Sequence, residues 1–182
     1  AGTGNRELTL ADNSKLIYQG KILQLVLEST TLPNGRRVEL EILHHPGGAA
    51  IVALDTQNRV CLLRQYRHAA GGWIWELPAG KLETDEAPQV TAARELAEEA
   101  GMQAGRWDTL GDILASPGFC DEILHLYLAR DLSPVPAHPE EDELLEIHWI
   151  PFEQALQHAY DGTYPDAKTM LGLVLAEKHI NR

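Results

Sequence analysis

GKLETDEAPQVTAARELAEEAGM, residues 80–102, decides the reading of this 182-residue chain. Gly80 is followed by five residues and then Glu86. Seven more lead to Arg94-Glu95-Leu96, and Glu98-Glu99, Gly101 and Met102 close the stretch. The second half predicts a helix from about Pro88 to Ala100, with Val90, Ala93, Ala97 and Ala100 recurring at steps of three and four as one apolar stripe. Gly101 supplies a C-terminal stop. On that helix Glu95 and Glu99 stack on one face, with Glu98 beside them. Like charges at this spacing cost roughly 0.2–0.5 kcal/mol per pair, so a helix that concentrates them calls for a compensating cation. Oxygen-only ligands favour a hard ion such as Mg²⁺. A solvated helix face would account for a lone Glu-Glu pair, but not for the fixed glycines, the arginine and Glu86 as well.

The stretch resembles the Nudix box, G-x5-E-x7-R-E-U-x-E-E-x-G-U with U aliphatic, at every fixed position; Met102 is a soft match at the last. The resemblance implies a loop-helix-loop that binds divalent metal and cleaves a nucleoside diphosphate linked to another group. It implies metal ligation by Glu95, Glu98 and Glu99, with the backbone carbonyl of Ala79 joining them, and a catalytic role for Glu99. Mn²⁺ is expected to substitute for Mg²⁺. It further implies that Arg94 and Glu86 pair to tie the loop to the helix. Read without it, such a pair is an incidental surface bridge worth little. Gly80 and Gly101 read as conformational rather than chemical.

The length fits one domain, with room for a small appendage, and allows a sizeable core. Hydrophobic residues make up 44% and charged residues 23%, values of a globular chain. A net charge of −12 argues against nucleic acid as a partner. It also sits awkwardly with a phosphate substrate unless bound cations invert the local sign. Cys61 and Cys120 are too few and too far apart for a disulfide framework, and Cys61 lies in an apolar run as a buried thiol. No apolar run reaches membrane-span length and no signal peptide opens the chain, so the expectation is a reducing, cytoplasmic setting with no membrane partner.

Along the chain, residues 1–14 read as polar and loose. Residues 22–31 and 37–43 form a hairpin about Asn34-Gly35. A break at residues 44–48 bounds this segment. Residues 49–54 and 60–65 read as a second hairpin, 73–77 as a short strand, and 107–115, 123–129 and 147–150 as further strands. Residues 131–143 read as a proline-rich acidic loop. Pro151 opens a helix at its first position, and a last helix covers residues 166–178. Strands and helices mix without βαβ regularity, so the class is α+β, or α/β/α if a mixed sheet is covered on both faces. The resemblance implies that sandwich. The domain expectation is an N-terminal antiparallel β segment over residues 1–46 and a hydrolase domain over 47–182.

Three features outside the box bear on substrate. Ser116-Pro117-Gly118-Phe119-Cys120-Asp121-Glu122 is a turn by composition. Placed after the box, it resembles the signature of the ADP-ribose pyrophosphatase branch, which points to Gly118 and Glu122 as substrate-binding. Leu63-Arg64-Gln65-Tyr66-Arg67 is a basic strand end. Arg64 and Arg67 are either solvated or, if aimed at a cleft, phosphate clamps. The acidic run 138–143 reads as a solvated loop. In the branch it resembles, a catalytic glutamate sits on a mobile loop here, which implies Glu141 as general base and Glu143 as a metal contact. Which of the four acids acts stays open. Trp73 and Trp75 share a strand face, as packed residues or as a stacking platform for a base. Glu76 points the other way, where it could accept hydrogen bonds from a base or ribose. The eight histidines show no ligand spacing and read as surface or packing residues.

The function these readings imply is Mg²⁺-dependent hydrolysis of ADP-ribose or nucleoside diphosphate sugars to a nucleoside monophosphate and a sugar phosphate. The alternatives are a preference for GDP-mannose or ADP-glucose, or a ligand sensor that has lost catalysis; the intact Glu95, Glu98 and Glu99 speak against the sensor. The resemblance also implies a homodimer that exchanges the N-terminal sheet, with Arg36 or Arg37 reaching the partner's ligand.

Overall fold

A computed structural model describes residues 14–138 and 143–181. Three antiparallel strands come first: β1 (Ser14–Gln19), β2 (Gln24–Thr31) and β3 (Arg37–His44), in that order in their sheet. The β2–β3 turn forms as expected, with Gly35 at φ 82° donating its N–H to the Leu32 carbonyl at 2.8 Å. β4 (Gly48–Ala53), β5 (Arg59–Arg67), a 3₁₀ turn (His68–Ala70), β6 (Gly72–Glu76) and β7 (Ala79–Lys81) lead into helix α1 (Pro88–Ala100). β8 (Met102–Leu114), β9 (Ile123–Pro134), β10 (Leu145–Pro151), α2 (Phe152–Tyr160) and α3 (Ala167–Ile180) complete the chain. A mixed sheet runs β7-β4-β9-β8, with β4 and β9 parallel, and an antiparallel sheet runs β10-β5-β6.

Every residue of β4 is buried, as befits a central strand covered on both faces. Ala49, Ile51 and Ala53 pack with Ala92, Leu96 and Ala100 of α1, while Val52 and Leu54 join Phe152, Leu156, Leu173 and Ala176 from α2 and α3. Period-two alternation on one strand thus feeds two cores, and the helices cover opposite faces. This is the α/β/α sandwich with a mixed sheet, and the N-terminal antiparallel sheet lies beside it.

Several expectations are corrected. The strands at 49–54 and 60–65 do not form a hairpin: only Leu54 and Val60 bridge, and the Asp55–Arg59 turn sends β5 into a different sheet. The stripe of α1 is displaced: Thr91, Ala92, Glu95, Leu96, Glu99 and Ala100 are buried, while Val90 and Ala93 face out. The helix therefore turns its acids inward. Residues 131–134 extend β9 rather than opening a loop. Pro151 caps α2 from outside, with Phe152 as the first helical residue. β1 was not anticipated at all. The expectations for residues 1–13 and 139–142 lie outside the described residues.

The break at residues 44–48 is firmly bridged. The Leu43 N–H donates to the Phe119 carbonyl at 2.7 Å and the Asp121 N–H to the Leu43 carbonyl at 3.2 Å. Among the described residues, no helix is long and apolar enough to cross a membrane.

Candidate active site

A cleft of about 670 Å³ opens where the mixed sheet, the start of α3 and the 116–122 loop meet. Its wall includes the backbone of Ala79 and Gly80, the carboxylates of Glu76, Glu95, Glu98, Glu122 and Glu143, and the cations Arg67, Lys81 and Lys168. Each arrives for a local reason. Pro88 fixes the first turn of α1 and Gly101, at φ 62°, ends it, so Glu95, Glu98 and Glu99 project from its last two turns. Gly80 lies flat against the helix: a Cβ there would sit 1.9 Å from Glu95 Oε1. No other residue type permits that approach.

Arg94 organises the acids. Its guanidinium donates to Glu86 Oε1 at 3.1 Å, Glu95 Oε1 at 2.6 Å, Glu98 Oε2 at 3.0 Å and the Lys81 carbonyl at 3.3 Å. These bonds hold the Glu86 carboxyl below the usual range and the Arg94 guanidinium above its own. The Glu86–Arg94 pair thus ties the loop before the helix to the helix itself.

Glu99 differs from its neighbours. It is 1% exposed; Oε2 accepts the Ala79 N–H at 2.8 Å, while Oε1 is buried with no hydrogen-bond partner. Burial pushes its carboxyl up to about 8, with Glu143 and Glu95 adding to the shift and the Ala79 N–H and Arg67 opposing it. Burial also raises Glu95, against Arg94. A buried, half-satisfied carboxylate beside two others is a site that fits a divalent cation: the donors are all oxygen, and Oε1 has no hydrogen-bond partner among the described residues. Glu95, Glu98 and Glu99 with the Ala79 carbonyl would hold it, and Glu143 is close enough to perturb both buried acids. Among the described residues no three acids or histidines already converge as a cage, and Arg94 engages Glu95 and Glu98.

The other anticipated residues divide. Arg67 reaches the cleft, but its Nε donates to Glu76 Oε2 at 2.7 Å. Glu76 is 3% exposed, and Lys168 engages its other oxygen, so it braces two cations rather than offering free acceptors. Asp166, the N-cap of α3, also holds Lys168 at 3.0 Å. Arg64 points away, against Glu146 at 3.4 Å and over the Trp73 ring. Gly118 is exposed on its turn and does not line the cleft, whereas Glu122 does. Arg37 lies in a separate shallow hollow of about 330 Å³ on the N-terminal sheet. Trp75 packs on His148 and Tyr164, and the half-exposed Trp73 packs on Tyr66. Glu141 lies outside the described residues.

Sequence reasoning missed Lys168, Lys81, His45 and Tyr66 as wall residues. A lysine two residues after a helix-capping aspartate carries no local signal for a partner on a distant strand. Cys61 is a buried thiol as expected, pushed up to about 12 by burial and then by Glu99.

The NUDIX domain family matches residues 44–171. The chain is 39% identical over 155 residues to an ADP-ribose pyrophosphatase of Bacillus subtilis, covering 84% of each protein. It is 38% identical over 159 residues to a methanol dehydrogenase activator of Bacillus methanolicus, covering 86% of each. Its fold superposes on the crystal structure of an ADP compounds hydrolase with a TM-score of 0.80 at 19% identity, over 93% of this chain and 92% of that one. With the glutamate helix, the glycine pressed against it and a family match across most of the chain, this protein belongs to the NUDIX family.

Proposed function

We propose that the protein hydrolyses the pyrophosphate bond of ADP-ribose and related nucleoside diphosphate sugars, with Mg²⁺, giving a nucleoside monophosphate and a sugar phosphate. The observation that carries this reading is Glu99: a buried carboxylate with one unpartnered oxygen, held by the Ala79 N–H behind the wall of a cleft that presents Glu95, Glu143, Arg67 and Lys168. The 39%-identical ADP-ribose pyrophosphatase supports the substrate class. A divalent metal held by Glu95, Glu98, Glu99 and the Ala79 carbonyl would offset the charge of the pyrophosphate and supply a more acidic water. Arg67, braced by Glu76, offers its remaining N–H groups to phosphate oxygens. Glu141 takes the proton of the attacking water as its oxygen bonds to one phosphorus and the bridging oxygen leaves on the other. Steady-state turnover of a panel of diphosphate sugars against ADP-ribose tests the assignment. A tenfold preference for GDP-mannose or ADP-glucose would move the substrate, and no turnover of any member would favour the sensor reading.

Metal affinity should depend on pH. The metal-free Glu99 carboxyl titrates near 8, so metal must displace its proton below that value. Affinity for Mn²⁺, read by titration calorimetry, is expected to rise between pH 6.5 and 8 and then level off. A flat profile would mean Glu99 is not a ligand.

Glu141→Gln should lower kcat by roughly 10², with KM little changed. If Glu141→Gln is neutral and Glu140→Gln or Glu143→Gln is not, the base is a different acid of that run.

The N-terminal β segment is assigned to dimerisation, with Arg36 or Arg37 facing the partner's ligand. A three-stranded sheet that leaves Leu16, Ile17, Tyr18, Ile22 and Leu40 exposed supports a covering subunit. Light scattering is expected to give twice the chain mass, and deletion of residues 1–45 to raise KM. A monomer at micromolar concentration, or an unchanged KM, contradicts this. The two free cysteines support a reducing, cytoplasmic setting.

A further inference from the structure

His44 and His45 join the N-terminal sheet to the cleft, and their hydrogen bonding is oversubscribed. His44 presents Nδ1 to Asp121 Oδ2 at 2.7 Å and Nε2 to Glu28 Oε1 at 3.2 Å. A neutral imidazole carries one N–H and can donate to only one of these carboxylates; the imidazolium donates to both. At His45 the conflict falls on a single atom. Nδ1 accepts the Gly47 N–H at 3.1 Å and also lies 3.2 Å from Glu122 Oε1, an ion pair only when the ring is protonated. One nitrogen cannot serve both. The titratable groups paired with the two rings are Glu28 from β2, and Asp121 and Glu122 from the 116–122 loop. Both rings are largely buried, so solvent does not readily replace these partners. His45 and Glu122 line the cleft, and the Asp121 carboxylate also accepts the His45 N–H at 2.9 Å.

We propose that His44 and His45 form a proton-operated clamp that fixes the N-terminal sheet and the Glu122 carboxylate against the cleft wall. Protonated, His44 bridges Glu28 to Asp121, and His45 donates to Glu122. Neutral, His44 releases one carboxylate, His45 Nδ1 accepts from Gly47, and Glu122 turns its full charge toward the cleft. A pyrophosphate diester stays ionised throughout this pH range, so the clamp, not the ligand, changes charge. Protonation of the two rings therefore tightens binding of an anionic substrate. The effect on substrate rests on the cleft being the nucleoside diphosphate site; the clamp itself does not.

Two measurements on the full chain separate these claims. In the first, the Gly47 amide and both imidazoles are followed by NMR from pH 8.5 to 5.5 without substrate. The Gly47 amide resonance is expected to move upfield as His45 titrates, because its acceptor is lost; an amide that ignores the His45 titration overturns the clamp. In the second, KM for ADP-ribose is measured at saturating Mg²⁺ at each pH. The wild-type KM is expected to fall about fivefold between pH 8 and 6, the scale of one partly exposed ion pair. His45→Gln should lose most of that dependence while keeping kcat. An identical pH dependence in His45→Gln and wild type overturns the positioning role. A responsive Gly47 amide with no ADP-ribose turnover would uphold the clamp and refute the substrate assignment.

Discussion

Glu99→Gln is expected to lower kcat by about 10³–10⁵ and, at the same time, to stabilise the metal-free fold at alkaline pH. The first effect follows from removing a charged metal ligand at the reacting phosphate, which forfeits several kcal/mol of transition-state stabilisation. The second follows from burial. The carboxyl titrates near 8 in the folded chain against 4.5 ordinarily. Below the ordinary value it is protonated in both states and imposes no penalty. As pH rises toward 8 the unfolded chain ionises and the folded one resists, so a penalty on the order of 2–4 kcal/mol develops and is complete above 8. Glutamine carries no charge and can still accept the Ala79 N–H. In chelator at pH 8.5, the variant should therefore melt above wild type, and the gap should shrink toward pH 5. Saturating Mg²⁺ should reverse the order, because only wild type then gains full binding energy. A kcat within tenfold of wild type, or a lower metal-free Tm at pH 8.5, would contradict the role given to Glu99.

Gly80→Ala should be nearly as damaging although it adds one methyl group. The new Cβ would lie 1.9 Å from Glu95 Oε1 and 2.0 Å from its Cδ, so one of them must move. Glu95 cannot move freely: Arg94 holds it at 2.6 Å, and α1 is anchored by Leu96 and Ala100 in the core. β7 cannot move freely either, because Gly80 pairs with Ala49 of the buried central strand. Misplacing a ligand by about 1 Å and losing its share of the metal's charge should reduce kcat/KM on the order of 10³. Tm should fall by several degrees, the usual result of overpacking. If Gly80→Ala retains wild-type metal affinity, Glu95 is not at the metal.

The box helix was legible to the residue because both its ends are chemical: Pro88 can start a helix and Gly101 can stop one, whatever surrounds them. Its buried face was not. The alanine-rich stripe through Val90 and Ala93 looked apolar, yet the helix buries Glu95 and Glu99 instead. Ala92, Leu96 and Ala100 pack on the central strand and decide which way α1 faces, and the acids beside them turn inward with them. Strand pairing was likewise opaque. Residues 49–54 and 60–65 carry every local sign of a hairpin, but β4 finds β9 more than seventy residues away in a parallel register that no turn announces.

The carboxylates of the site were readable from spacing, while the cations that serve them were not. Glu76 appeared as a free acceptor because its partners come from elsewhere: Arg67 across the β5–β6 pair and Lys168 from α3. Arg64 and Arg67 looked equivalent in a basic strand end, yet Arg64 turns to Glu146 on the neighbouring strand and away from the cleft. His44 and His45 lacked any ligand spacing because their partners are carboxylates on two other segments.

The most direct test of the central claim is the phosphorus NMR spectrum of ADP-ribose incubated with the enzyme, with Mg²⁺ and with chelator. With Mg²⁺, the pyrophosphate signals should give way to two phosphomonoester signals of equal area, those of AMP and a ribose phosphate, and in chelator nothing should change. Intact pyrophosphate in both tubes, release of inorganic phosphate as the first product, or equal cleavage without metal would contradict the account.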